Sequence, residues 1–131
     1  MNLNQITLPV YDMDSATAFY RRLGFQLIVD TPHYARFECP EGGSTFSLLL
    51  ESEDFSNGAI IYFEHAALDD WVSRLKAVGI VFDQDPEDQP YLWREASLRD
   101  PSGNRIKLYW AGENRLHPPW RVDASGLEPV E

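Results

Sequence analysis

Cysteine and histidine are nearly absent from this chain, with one Cys and three His among 131 residues. A lone Cys39 cannot close an internal disulfide, so a reducing compartment fits; beside Pro40 in a turn it reads as a structural thiol rather than a nucleophile. His33, His65 and His117 match no zinc motif of closely spaced histidines with a nearby acid. Basic residues are scarce too. The 11 Lys and Arg against 21 Asp and Glu leave a formal charge of −10, which disfavours a face that neutralises many phosphates and makes nucleic acid and anionic membranes poor partners; neither is expected. No apolar run approaches the ~20 residues that span a bilayer. Met1 to Gln5 has neither the basic nor the apolar region of a signal peptide, and the cytoplasm is the expected location. No G-x-S-x-G elbow occurs, which leaves serine-hydrolase triads without support.

What is present suits one compact domain: 44% of the residues are hydrophobic and 13% aromatic. Ile6, Leu8 and Val10 alternate with Gln5, Thr7 and Pro9, which predicts a half-buried strand over 3–10 with its other face toward something polar. Asp12 to Ser15 offers helix-capping chemistry, and Ala16, Phe19, Tyr20 and Leu23 follow at helical spacing until Gly24. Strand-like runs at 25–29, 33–38 and 45–51 are separated by Asp30-Thr31-Pro32 and Pro40-Glu41-Gly42-Gly43. The unit reads βαβββ.

After a polar stretch at 52–57 the order restarts with a strand over 59–65 and a helix whose buried face carries Leu68, Trp71, Val72 and Leu75 before Gly79. An offset of 55 positions lays Tyr20 on Leu75, Leu23 on Val78, Gly24 on Gly79 and Gln5 on Ile60, an internal repeat. The second copy is predicted to continue with strands at 80–82 and 91–98 around a Pro- and acid-rich loop at 83–90. A turn, Asp100-Pro101-Ser102-Gly103-Asn104, leads to a last strand at 105–110, with Gly103 supplying a positive φ. The expected architecture is an α+β domain over 1–110 made of two βαβββ repeats, about 3–51 and 58–110. An extended, partly disordered arm is expected over 111–131, with Pro118-Pro119 in it.

Four segments, in this order and spacing, resemble the vicinal oxygen chelate superfamily, which groups glyoxalase I, bleomycin-resistance proteins, fosfomycin-resistance proteins and extradiol dioxygenases. They are Ile6-Thr7-Leu8-Pro9-Val10-Tyr11-Asp12, Phe19-Tyr20-Arg21-Arg22-Leu23-Gly24-Phe25, the helix from Trp71 to Gly79, and Asp100-Pro101-Ser102-Gly103-Asn104-Arg105-Ile106. The resemblance covers about residues 3–110. It implies curved sheets with both helices outside, and a cleft, often completed by pairing of domains, that can hold a divalent metal. The family's ligand positions fall here on Gln5, Ser47, Ile60 and Lys107. Ile60 has no donor, Lys107 is cationic, and Gln5 and Ser47 are weak neutral donors; a strand slip that exchanged Ser47 for Leu49 would supply no carboxylate either. No metal and no other cofactor is therefore expected, a divalent metal being the alternative.

The remaining candidates follow from strand alternation. Glu64 faces the cleft beside Tyr62, either to bind a cationic group or act as a general base if burial raises its pKa, or as a solvated partner for Lys107 or Arg105. Arg105, Lys107 and Tyr109 share a face, either to hold an anionic substrate or to form cross-strand ion pairs with Glu64 or Glu95. His65 points with Ile61 and Phe63 toward the helix side. Trp93, Trp110, Trp120, Tyr62, Tyr91 and Tyr109 provide an aromatic wall, while Trp120 and its prolines pin the arm against the domain or a second subunit.

The predicted ligand-binding set is Gln5, Ser47, Tyr62, Glu64, Trp93, Lys107 and Tyr109, with Glu64 the one catalytic candidate. The expected function is binding of a small organic molecule by a homodimer similar to bleomycin-resistance proteins. The alternative is a glyoxalase- or dioxygenase-like enzyme, either a metal-dependent lyase, isomerase or oxygenase, or a metal-free acid/base enzyme using Glu64.

Overall fold

Period-two and period-3.6 patterns become strands and helices at nearly the expected places in the computed structural model, which describes residues 1–122. The first half comprises β1 (Gln5–Val10), α1 (Met13–Leu23), β2 (Gln26–Asp30), β3 (Tyr34–Glu38) and β4 (Thr45–Leu50). The second comprises β5 (Ile60–Glu64), α2 (Leu68–Ala77), β6 (Gln84–Asp88), β7 (Arg94–Arg99) and β8 (Arg105–Trp110), followed by a single 3-10 turn, Gly112–Asn114. Each half forms a four-stranded curved sheet in the same order, β1-β4-β3-β2 and β5-β8-β7-β6, with the outer helices of an α+β fold. In each sheet the opening strand lies parallel to the closing strand, and the other pairs are antiparallel. No described helix is long and apolar enough to cross a membrane. The disorder expected near the end of the arm falls on 123–131, outside the described residues.

Helix α1 buries Ala16, Phe19, Tyr20 and Leu23, the predicted stripe, and stops where Gly24 adopts φ 108°. There the Gly24 and Phe25 amides return to the carbonyls of Arg21 and Tyr20. Helix α2 buries Leu68, Trp71, Val72 and Leu75. The halves share one core through aromatic rings. Phe46 stacks on Phe37 at 5.2 Å, meets Tyr20 and Phe25 edge-on, and reaches Phe63 of the second half at 5.3 Å, while Phe25 lies 4.4 Å from Phe63. Trp71 Nε1 donates to the Leu23 carbonyl at 3.2 Å.

The second half departs from the expected boundaries. Residues 80–82 are not a strand, and β6 lies inside the predicted loop. Ile80 is apolar because it plugs the end of α2, its amide bonded to the Leu75 carbonyl. Gln84–Asp88 is an edge strand paired only with β7 and bulged between Gln84 and Glu87, so Pro86 is tolerated there. Its acids find cations: Asp85 pairs with Lys76 of α2, and Asp88 with Arg94 of β7. Tyr91 to Trp93, predicted to begin a strand, instead form the hairpin turn before β7, with Leu92 at φ 69°.

Candidate functional site

Residues opposite one another on a sheet share a face, so the registers collect the polar side chains on the face turned away from the helices. In the first half the row Gln5, Thr45 and Glu38 neighbours the row Thr7, Ser47 and Arg36. Thr45 Oγ1 donates to Gln5 Oε1 at 2.5 Å, and Gln5 Nε2 donates to Ser47 Oγ at 2.9 Å. Ser47, fully buried, lies 2.6 Å from Tyr34 Oη, which also accepts from Arg36 Nε at 3.0 Å. Either hydroxyl of the Ser47–Tyr34 pair can be the donor, and the bonds link Thr45, Gln5, Ser47, Tyr34 and Arg36 into one polar chain. The hydrogen bonds from Ser47 and Arg36 hold the Tyr34 phenol below its usual range. Tyr34 escaped the sequence reading; its alternation with Arg36 was the available signal.

The second half is aromatic. Tyr62 of β5 meets Trp93 and Tyr109 edge-on at 5.9 and 5.4 Å, Trp93 stacks on Tyr109 at 4.8 Å, and Tyr91 meets Trp93 edge-on at 6.0 Å. Four of the predicted residues, Tyr62, Trp93, Lys107 and Tyr109, thus lie together on one face. Lys107 Nζ sits 5.9 Å from the Tyr62 ring centroid and donates to Glu95 Oε1 at 2.9 Å. That hydrogen bond raises the Lys107 pKa, so the ammonium stays charged. Burial raises the phenols of Tyr91 and Tyr109, the first also through its bond to Glu95. Glu95 is only 2% exposed.

Other candidates sit elsewhere. Lys107 takes Glu95 as its partner, not Glu64; the Glu64 carboxylate accepts the Ala111 amide at 3.4 Å, and Arg105 donates to the Gly58 carbonyl. His65 leans on Trp71, ring centroids 5.0 Å apart, and accepts the Ala67 amide on Nδ1, as a packed rim histidine does. Burial raises the Cys39 thiol, which fits an inert role.

At the junction of the halves, Gln5, Ile6, Thr45 and Phe46 face Ile60 and Tyr62 across a cavity of about 400 Å³. A neighbouring one of about 640 Å³ is lined by Phe25, Cys39, Tyr62, Glu64, His65 and Arg74. Ser47, Trp93, Lys107 and Tyr109 line neither of these two cavities. No hydrogen bond or ion pair among the described residues joins the polar cluster around Tyr34 to the aromatic cluster around Trp93.

The family model of the Glyoxalase/Bleomycin resistance protein/Dioxygenase superfamily matches residues 2–108. The chain belongs to this superfamily. Solved structures of superfamily type share its fold at low identity. A glyoxalase/bleomycin resistance protein/dioxygenase from Nocardioides is 23% identical over 94% of this chain and 90% of its own, with a TM-score of 0.74. A bleomycin-binding protein complexed with bleomycin is 21% identical over 86% of this chain and 100% of its own, TM-score 0.70. Lactoylglutathione lyase from Agrobacterium tumefaciens is 20% identical over 83% and 92%, TM-score 0.70. A comparison with curated proteins returns no match.

The superfamily's metal positions do not fit a divalent ion here. Gln5 presents its amide nitrogen to Ser47 and spends its oxygen on Thr45; Ile60 offers nothing; Lys107 brings an ammonium already bound to Glu95. No cluster of three or more His, Cys, Asp or Glu able to hold a metal occurs among the described residues.

Proposed function

We propose that this superfamily member binds a small organic molecule without chemical turnover, as the bleomycin-binding neighbour binds bleomycin. The observation that carries this reading is the continuous aromatic surface of Tyr62, Trp93 and Tyr109 beside a positionally fixed ammonium, Lys107, at a position that the resemblance assigns to a metal ligand. Aromatic faces supply stacking area to a flat ligand, and a few charged groups orient it. Gln5 and Glu64 form the polar remainder of the proposed lining, with Ser47 buried behind Gln5 and holding its amide. The formal charge of −10 favours neutral or cationic ligands.

The pocket is proposed to close between two copies. No hydrogen bond or ion pair among the described residues joins the Tyr34 and Trp93 clusters, and Trp110, Leu116 and Trp120 are 42%, 57% and 56% exposed. A two-fold dimer covers such apolar surface and places one polar face opposite one aromatic face.

A thermal-shift screen of cationic glycopeptides, aromatic antibiotics, thiol-conjugated aldehydes and catechols, each with and without Mn, Fe, Ni and Zn, tests the reading. Stabilisation by a ligand alone that is lost in Trp93→Ala or Glu64→Gln supports it. Metal-dependent turnover of a thiol conjugate or catechol overturns it.

A further inference from the structure

The two sheets have four edge strands, β1, β2, β5 and β6. An edge strand offers unpaired amides and carbonyls to any passing chain, and folded proteins commonly blunt it with a proline or a bulge. Here β1 carries Pro9, β2 shifts register between Leu27 and Val29, and β6 is bulged around Pro86. Strand β5 has neither device: it reads Ile60-Ile61-Tyr62-Phe63-Glu64, pairs with β8 in unbroken register, and keeps its one charge at the end. The His65 amide bonds to the Tyr109 carbonyl of β8, so by alternation Ile61 and Phe63 also turn their main chain toward β8. Ile60, Tyr62 and Glu64 turn theirs outward, and among the described residues no main-chain hydrogen bond reaches them from that side.

This open edge lies along a groove. The cavities of about 400 and 640 Å³ share Cys39, Ser44, Tyr62 and Phe63, so they adjoin, and together they touch every residue from Ile60 to His65. Neighbouring residues of a strand point to opposite faces, so a cavity that touches both sets runs along an edge, and β8 already closes the other one. The facing walls are the start of β1, the turn between β3 and β4, and Trp71 and Arg74 of α2. A second copy of this chain would have to bring a whole sheet between those walls, whereas a single extended chain brings only its backbone. Ile6, Phe46 and Ile60 make one end of the groove apolar, and Glu64 and Arg74 make the other charged. We propose that β5 is a docking edge for an extended peptide segment of about five residues, the length of the strand, which pairs its main chain with Ile60, Tyr62 and Glu64 and turns apolar side chains into the groove. The proposal goes beyond the small-molecule reading: the two meet at Gln5, Tyr62 and Glu64, but Trp93, Lys107 and Tyr109 line neither cavity.

The test uses the full chain and its one cysteine, Cys39, which lines both cavities and so reports their occupancy through its rate of alkylation by N-ethylmaleimide. The probe is an acetylated, amidated Ala-Val-Lys-Val-Ala peptide, whose lysine suits the formal charge of −10. At millimolar concentration it is expected to slow labelling at least about threefold, as occupancy of two thirds of the chains would do. An analogue methylated on its three central amide nitrogens keeps every side chain but loses the strand-pairing donors, and should bind at least about tenfold more weakly. Ile60→Pro deletes one outward amide at the first position of the strand, where proline is tolerated, and is expected to weaken the parent peptide about three- to tenfold, with circular dichroism checking the fold. The methylated analogue needs no variant, so the test stands even if Ile60→Pro unfolds. Equal protection by parent and analogue, no protection by the parent, or protection lost in folded Trp93→Ala overturns the docking edge. Such a failure leaves the small-molecule screen standing, because that screen reads the aromatic face at Trp93.

Discussion

Tyr20 Oη of α1 donates to Asp100 Oδ2 at 2.7 Å, 80 residues away in sequence, with both side chains buried. The same carboxylate accepts the Ser102 and Asn104 amides on Oδ1 and Asn104 Nδ2 on Oδ2. Asn104 in turn donates to the Pro9 carbonyl and accepts from Asn57, and Ser102 Oγ receives the Tyr11 amide. One turn of the second half is thereby seated on the helix and first strand of the other.

Removing the phenol should therefore loosen the whole domain. Tyr20→Phe is expected to lower unfolding stability by about 1.5–3 kcal/mol, the range for a hydrogen bond to a charged group, in urea melts at neutral pH. Burial, then the charge of Asp100, raises the Tyr20 pKa well above its usual value of 10.0. The folded state thus favours the protonated phenol, and this contribution is complete below pH 10 and fades as pH rises through the higher folded value. Wild type should lose stability more steeply than Tyr20→Phe above pH 10; parallel profiles would contradict the assignment.

Leu92 holds φ 69° at the tip of the β6–β7 hairpin, where a side chain is strained and glycine is not. Leu92→Gly is expected to leave stability unchanged or raise it by up to about 1 kcal/mol, while an alanine there keeps the strain. A thermal midpoint in the glycine variant below that of Leu92→Ala would show that side-chain contacts outweigh the backbone.

The Lys107–Glu95 pair should behave asymmetrically. Lys107→Met leaves a carboxylate buried at 2% exposure and is expected to cost about 2–4 kcal/mol, somewhat less than for a fully buried pair because the lysine side chain is 24% exposed. Adding Glu95→Leu should recover most of the loss. Chemical denaturation of the two single variants and the double variant gives the coupling directly, and additive losses would show that the pair is not coupled.

A dimer closed by the exposed apolar surface near the arm should scatter as twice the 15.0 kDa chain mass at micromolar concentration. Trp120→Glu is expected to shift it toward monomer, with little change in the monomer's far-ultraviolet circular dichroism. Monomer alone in the wild type would remove the two-copy pocket.

Protein purified without chelator or histidine tag is expected to carry only substoichiometric Zn, Ni, Mn or Fe, because Ile60 and Lys107 replace ligands rather than merely weaken them. One bound equivalent, lost on substitution of Gln5 or Glu64, would reverse this.

The fold was legible because burial follows period. The stripes Ala16, Phe19, Tyr20, Leu23 and Leu68, Trp71, Val72, Leu75 are all buried, and the repeat they imply appears as two sheets of identical order. Strand β6 was hidden because an edge strand needs only one hydrogen-bonding side, so Asp85, Pro86, Glu87 and Asp88 resemble a loop by composition. Glu95 was hard to read as interior for a related reason. Its pairing with Lys107 was one of the two cross-strand options that alternation offered, but a carboxylate in a strand reads as surface, so its burial was not legible. Tyr34 gained its altered phenol from Ser47 and Arg36, a neighbourhood created by register rather than by any local motif.

In both halves the first strand lies parallel to the last, so Gln5 waits for Thr45, and Ile60 for Arg105, before either sheet can close. Such long-range pairing is slow, since chain entropy is lost before the contacts that reward it are made. During synthesis the first sheet can complete itself once Leu50 has left the ribosome, whereas Phe25 and Phe46 lack the Phe63 ring until the next strand emerges. The nascent first half therefore spends an interval with an uncovered aromatic seam, and chaperone dependence should be set by the length of that interval more than by the stability of the finished protein.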